Sequence, residues 1–308
     1  MACVATLISN PAAPSLDAAA IDRARGALPS AQAPIWLDPG VAADIPFTGD
    51  GANTQAKDQR ALAERVRAAL AGAPIDVVLQ GAAGRRKQLF LADMDSTMIG
   101  QECIDELADF VGVKQQVAAI TERAMRGEIE FAPALRERVA LLKGLPASVA
   151  DKVIAERIHL TPGARTLVAT LRKNGTYTCL VTGGFTLFTH RVAAMIGFDE
   201  NRANTLVVDA GGRLTGDLAG PIFGRESKLA TLIELTQRLA IAPEATLVAG
   251  DGANDIAMIE AAGLGVAYHA KPNVAKAAAA RVDYGDLTAL LYAQGYRREE
   301  FVSAHGKA

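Results

Sequence analysis

Residues 89–102 read Leu-Phe-Leu-Ala-Asp-Met-Asp-Ser-Thr-Met-Ile-Gly-Gln-Glu, an apolar run that stops abruptly in acids and hydroxyls. A short apolar stretch without polar alternation suits a strand covered on both faces, as in the middle of a parallel sheet. In such sheets ligands bind beyond the carboxyl ends of the strands, so Asp93 is expected at a functional edge. The pleat sends alternate positions to one face. If both acids follow it, the carboxylates of Asp93 and Asp95 share one small space, where like charges need a cation or a shared proton. A calcium loop is a poor alternative: its sixth and twelfth positions, which want Gly and Glu, hold Met98 and Ile104. A plain polar turn after a strand is the bland reading of these acids taken alone.

The rest of the chain repeats the pattern. Strands are expected at 176–181, 206–208, 213–218, 246–250 and 263–268, with helices at 161–171, 225–239 and from 256. Strand followed by helix, repeated, implies a doubly wound parallel sheet; an order 3-2-1-4-5, one that such a repeat can take, would place Asp93 on the central strand at the switch point. Between the acids and this repeat, residues 101–111, 113–126, 131–142 and 148–157 have helical apolar spacing, broken by Gly112, Gly127, Gly144 and Pro146. A helical insertion directly after a functional strand end is placed to act as a lid. The expected fold class is therefore α/β: a doubly wound core with an inserted helical cap at about 98–160 and a small N-terminal α+β module over residues 1–86. The domain over 87–308 is expected to have its own core.

In the N-terminal module, strands are expected at 3–8, 35–37 and 75–79, with helices at 16–28 and 58–71. Residues 39–55, rich in Gly, Pro, Ala and Asp, read as loop. The module loosely resembles the ACT-like regulatory modules that bind amino acids; a structural or oligomerising role is the alternative.

Composition excludes several classes. A net charge of -2 spread over 308 residues provides no basic field for nucleic acid. Apolar runs are short and the N-terminus lacks a cationic stretch leading into an apolar core, so neither a membrane span nor a leader is expected and cytoplasmic residence is the default. Cys3, Cys103 and Cys179 are far apart, and His159, His190, His269 and His305 are scattered, which is no framework for disulfides or zinc.

Three further features fall at expected strand ends or helix starts. Thr182-Gly183-Gly184 offers a hydroxyl and close backbone approach to an anion. Lys228, early in a helix where the dipole disfavours a cation, hints at an anionic neighbour. Gly250-Asp251-Gly252-Ala253-Asn254-Asp255 again puts acids at a strand end. In that order, after Asp93-Met94-Asp95-Ser96-Thr97, the set resembles the haloacid dehalogenase superfamily of phosphohydrolases. From residue 89 to about 291 it resembles the phosphoserine phosphatase branch, including Glu102, Met125, Phe131 and Arg138 in the cap. Thr182 stands where Ser is frequent in that branch.

The resemblance implies a magnesium-dependent phosphatase that hydrolyses O-phosphoserine in the closing step of serine synthesis. In it Asp93 is the nucleophile and forms an aspartyl-phosphate, and Asp95 is the acid and base. The magnesium ligands would be Asp93, Asp251 and the backbone carbonyl of Asp95, with Asn254 and Asp255 in support. Thr182, Gly183 and Lys228 would hold the phosphoryl group. Glu102 would read the ammonium and Arg138 the carboxylate, with Met125 and Phe131 excluding water. The partner is then a small molecule, with neither nucleic acid nor membrane, and a homodimer is compatible with it. The alternatives are a related phosphatase or phosphotransferase acting on another small phosphorylated metabolite, and an idle amino-acid sensor.

Overall fold

The computed structural model describes residues 2–48, 56–126 and 128–303. The N-terminal module runs β1 (Ala2–Ser9), α1 (Ala18–Ala27), β2 (Ile35–Asp38), β3 (Ala42–Thr48), α2 (Ala56–Ala69) and β4 (Ile75–Gly81). Its antiparallel sheet has the order β2-β3-β1-β4, the split β-α-β-β-α-β arrangement. Asp17 caps α1 by accepting from the Ala20 N–H.

Strand β3 corrects the expectation of loop over 39–55; residues 49–55 of that stretch lie outside the described residues. Ala-Ala-Asp-Ile-Pro-Phe-Thr hides a strand because a proline removes a ladder donor. Here Pro46 is opposite Val4 of β1, yet its carbonyl accepts from the Gln32 N–H at 2.8 Å. The face lacking a donor is thus turned toward the short β2, past the last residue β2 pairs, and no bond to β1 is lost.

The larger domain opens with β5 (Leu89–Ala92) and a kinked turn, Met94–Met98, closed by the Ile99 N–H bonding back to the Met94 carbonyl. Four cap helices follow: α3 (Cys103–Phe110), α4 (Lys114–Met125), α5 (Phe131–Ala140) and α6 (Val149–Arg157). The chain then alternates through α7 (Ala164–Lys173), β6 (Tyr177–Phe185), α8 (Thr186–Ile196), β7 (Glu200–Val208), β8 (Leu214–Ala219), α9 (Arg225–Arg238) and β9 (Thr246–Gly250). It ends with α10 (Ile256–Ala261), β10 (Leu264–Tyr268), α11 (Pro272–Ala277), β11 (Ala280–Val282) and α12 (Ala289–Ala293).

The seven strands lie β11-β10-β9-β5-β6-β7-β8, parallel except for the β7–β8 hairpin. Counting parallel strands from β5, this is the expected order 3-2-1-4-5 with one more strand beyond. Strand β5, wholly buried, is central because its four residues are apolar on both faces. Its run of hydrophobic side chains serves two clusters: Phe90 and Ala92 point to one, Leu89 and Leu91 to the other.

The cap leaves and returns through paired linkers: Ile99 bridges Leu160, the Gly100 N–H bonds the His159 carbonyl and the Thr161 N–H bonds the Met98 carbonyl. It is also fastened to the β7–β8 hairpin, where Gly144 and Leu145 exchange backbone bonds with Leu214, and Ala147 bonds Gly212.

The core of the larger domain is not closed on itself. Ile8, Leu37, Val41, Ala42 and Val78 of the N-terminal module belong to the same buried cluster as Leu290, Tyr292 and Phe90. Two buried polar joints accompany this apolar seam. Asp76 on β4 accepts the N–H groups of Asp283 (2.6 Å) and Gly285 (2.7 Å), and Arg85 pairs with Asp44 at 2.6 Å while also bonding the Ala293 carbonyl. No helix among the described residues is long and apolar enough to cross a membrane.

Candidate active site

Ala92 is opposite Leu180 of β6 and Ala249 of β9, so Asp93 emerges between the loops that follow those two strands. Its N–H bonds the Ala249 carbonyl at 3.0 Å, which fixes the backbone at the sheet edge. Its Oδ1 accepts from the Met94 N–H at 2.8 Å and from Lys228 Nζ at 2.7 Å. Among the described residues Oδ2 has no hydrogen-bond partner, so one oxygen is held and the other is free.

Asp95 does not continue the strand as the simple pleat reading supposes. The turn kinks: Asp95 is extended and Ser96 is left-handed at φ 54°, a conformation uncommon for a residue other than glycine. The kink carries the Asp95 carboxylate toward β6, where Oδ2 accepts from Thr182 Oγ1 at 3.2 Å and Oδ1 from the Cys103 N–H at 3.0 Å. The two acids therefore have different neighbours, Asp93 a cation and Asp95 neutral donors.

Thr182, Gly183 and Gly184 form a bulge. Val181 pairs with Arg202 and Phe185 with Asn204, so three residues of β6 oppose one of β7 and are pushed out of the ladder. The Thr182 hydroxyl also accepts from the Gly184 N–H at 2.9 Å.

Lys228, fully buried, reaches from α9 to bridge Asp93 and Asp255, whose Oδ1 lies 2.6 Å from Nζ. Asp255 also accepts from the Gly252 N–H at 3.0 Å. It packs so tightly under β9 that a Cβ on Gly250 would lie 2.5 Å from its carboxyl carbon, hence the glycine. Donor oxygens of Asp93, Asp251 and Asp255 lie within 4.8 Å of one another.

The electrostatics follow from this crowding. Burial, and then the charge of Asp255, push the Asp93 carboxyl well above the usual carboxylate range against the pull of Lys228. The same two causes push Asp251 up to about 6. Burial also raises Asp95. Lys228 is raised despite its burial, because Asp93 and Asp255 both hold its proton. One ammonium facing three carboxylates leaves excess negative charge, and all the donors are hard oxygens. These residues fit a magnesium-class cation held by Asp93, Asp251 and Asp255. The side chain of Asp95 stands outside that group, so any share it has in the set is through its backbone.

The cap contributes the opposite side. Phe131, the first residue of α5, lays its ring over two glycines: a Cβ on Gly183 or on Gly224 would come within 3.3 Å or 3.2 Å of it. Glu102 accepts from Ser96 Oγ at 2.8 Å. Crowding by the protein and then the charge of Asp95 push its carboxyl up to about 7, though the residue remains open to solvent at the rim. Arg138 is half-buried on α5, and among the described residues its guanidinium bonds only neutral acceptors, the Ala134 carbonyl (3.3 Å) and Thr121 Oγ1 (3.5 Å). Burial lowers its pKa, and Asp105 and Glu102 lie near enough to oppose that. Met125 closes α4, but its side chain lies outside the described residues. Asn254 folds its amide oxygen over Gly252, where a Cβ would lie 2.4 Å away.

Fold and site together define a doubly wound α/β enzyme with an acid cluster at its switch point and a helical cap inserted beside it. Residues 90–260 match the family model for haloacid dehalogenase-like hydrolases. Among curated proteins, the chain is 45% identical to a phosphoserine phosphatase of Streptomyces coelicolor over 77% of this chain and 57% of that protein. It is 46% identical to a phosphoserine phosphatase of a Polaromonas species over 66% of this chain and 88% of that protein. Among solved structures, a HAD family hydrolase of Salmonella enterica serovar Typhi superposes with a TM-score of 0.83 at 27% identity, covering 94% of this chain and 97% of that one. The chain belongs to the haloacid dehalogenase-like hydrolase family. Its match spans little more than half of the Streptomyces relative's length and most of the Polaromonas relative's.

Proposed function

We propose that this chain is a magnesium-dependent phosphatase that hydrolyses O-phosphoserine to serine and phosphate in the cytoplasm, through a phosphorylated Asp93. The observation that carries the reading is the state of Asp93: Oδ1 is clamped by Lys228 and the Met94 N–H, and Oδ2 is left free beside an acid cluster. When bound, the cation supplies positive charge that offsets the phosphoryl oxygens and the carboxylates.

Thr182, the backbone at Gly183 and Lys228 hold the phosphoryl group, and Asp93 Oδ2 attacks phosphorus as its bond to the serine oxygen breaks. Asp95, whose carboxyl is pushed upward by burial, gives its proton to that leaving oxygen. A water then attacks the aspartyl-phosphate, Asp95 takes back a proton, and the bond between phosphorus and the Asp93 oxygen breaks. Asp93 returns as the carboxylate and phosphate departs. Identity to two phosphoserine phosphatases supports the substrate, as does the chemistry of the cap, where Arg138 has a guanidinium without an ionic partner among the described residues and Glu102 supplies the opposite charge. Phosphate release from a panel of small phosphomonoesters, with magnesium and with chelator, tests the reading. Phosphoserine should be preferred and activity should vanish with chelator; an equal rate on every ester would remove the serine assignment.

Two outcomes at the cap are expected. Arg138→Ala should reduce kcat/KM for phosphoserine by about 2–5 kcal/mol, as for truncating one partner of a buried charge pair, and barely change hydrolysis of an aryl phosphate that has no carboxylate. A uniform loss on both substrates would make Arg138 a support of the fold. The Glu102 carboxyl, raised to about 7, must be ionised to hold an ammonium. As pH falls through 7 it gains a proton and loses that charge, so the ratio of kcat/KM for phosphoserine to that for the aryl phosphate should fall on the acid side. The ratio removes titration of groups common to both substrates, and in Glu102→Gln it should be flat.

The division near residue 86 and the regulatory role of the module are part of the same proposal. The split β-α-β-β-α-β order supports an ACT-like module, and the shared core means that a signal from it would reach the larger domain through packed side chains.

A further inference from the structure

Asn204 stands on β7 with 3% of its surface exposed, and its amide makes three bonds. Nδ2 donates to the carbonyls of Gly183 and Phe223, each at 2.9 Å, and Oδ1 accepts from the Phe223 N–H at 2.7 Å. Both amide hydrogens and the oxygen are therefore used, three of the four bonds that a carboxamide can make. What they join is specific. Gly183 is the middle of the bulge that leaves the β6–β7 ladder, and its carbonyl has lost a strand partner there. Phe223 ends the loop that feeds α9, so it sets where that helix begins and where Lys228, four residues after Gly224, projects. The ring of Phe131 rests on the two glycines beside these bonds, Gly183 and Gly224.

We infer that Asn204 is a positioning residue. It ties the phosphate loop to the loop before α9 and so fixes the two-glycine floor on which Phe131 of the cap lands. This rests on the phosphatase reading above and adds to it a residue that touches neither substrate nor cation. A side chain shorter by one group, or one without the two donors, frees the Gly183 carbonyl to drift relative to Lys228. A misplacement of about 1 Å at a reacting centre lowers turnover by about a hundredfold, while ground-state binding through Glu102 and Arg138 survives.

The test uses the full chain with magnesium and O-phosphoserine, measuring kcat and KM for Asn204→Ser and Asn204→Asp, each alone and combined with Phe131→Ala. Serine can accept from the Phe223 N–H but cannot span both carbonyls; aspartate keeps the size and loses both donors. The expected result is a fall in kcat of about 10–100-fold with KM little changed. In the Phe131→Ala background that fall should shrink by at least about threefold, because residues sharing one contact are not additive. A merely structural role would lower the yield of folded enzyme and act equally in both backgrounds. Should Asn204→Asp fail to fold, Asn204→Ser carries the measurement; failure of both to fold, or a fall in kcat that is undiminished without Phe131, overturns the inference. Wild-type enzyme that releases no phosphate from any monoester would overturn the phosphatase reading and this inference with it, whereas an active wild type with unchanged Asn204 variants overturns this inference alone.

Discussion

Asp93→Asn should abolish turnover, by about 10⁴-fold or more, as loss of a nucleophile does when no other group can form the covalent intermediate. An amide can still accept from Lys228 Nζ and the Met94 N–H through its oxygen, so the local bonds at 2.7 Å and 2.8 Å are compatible with the variant. It also removes one of three carboxylates that crowd one ammonium. The Asp93 carboxyl is raised by burial and by Asp255, so its ionised form, once pH exceeds the unfolded-state pKa, opposes folding when no cation is bound. Without divalent cations at neutral pH the variant should therefore unfold at a temperature no lower than the wild type. Loss of activity with a lowered midpoint would instead mark Asp93 as a structural partner of Lys228. Retained turnover would remove it from the chemistry.

Asp95→Asn should lower kcat by about 10²–10⁴-fold with KM little changed, since a proton-transfer group acts in the transition state. Its bonds make this separable from folding: Oδ1 receives the Cys103 N–H and Oδ2 meets the Thr182 hydroxyl. The amide oxygen can keep the first, and its NH₂ can donate to the threonine oxygen in place of the present bond. The turn and the start of α3 should then stay in place. The loss should be smaller for an aryl phosphate whose leaving oxygen needs little help from an acid. An equal loss on good and poor leaving groups, or a loss wholly in KM, would show that Asp95 does not move the proton.

Much of the frame can be read from the amino-acid sequence because the informative residues are at strand ends, where composition changes abruptly. The apolar run into Asp93, the β-branched run into Thr182 and the short run into Asp251 each announce a buried strand and its functional edge. The repeat of strand and helix implies the parallel sheet, but it is equally compatible with other doubly wound orders, so the order itself is visible only in the pairing. Strand β3 is hidden by Pro46, whose missing donor is harmless only because of where β2 stops. Strand β7 begins at Glu200, six residues before its apolar signal at 206–208, since Glu-Asn-Arg-Ala-Asn is polar toward the outer part of the sheet. Asn204 is lost in that same polar stretch, and its role depends on a bulge whose register only pairing reveals. Asp255 is legible as an acid in support, but its contact with Lys228 Nζ joins residues 27 apart in sequence. The seam between module and larger domain is invisible for a similar reason: Ile8 and Val78 look like ordinary strand residues of either body.

The most direct test of the account is rapid acid quenching of the wild-type enzyme with magnesium and phosphorus-labelled O-phosphoserine, followed by mapping of any labelled peptide. Label is expected on the peptide that contains Asp93, as an acyl-phosphate that appears before steady state and is absent from Asp93→Asn. Serine released with no label on the protein at any quench time, or label on a residue other than Asp93, would contradict it.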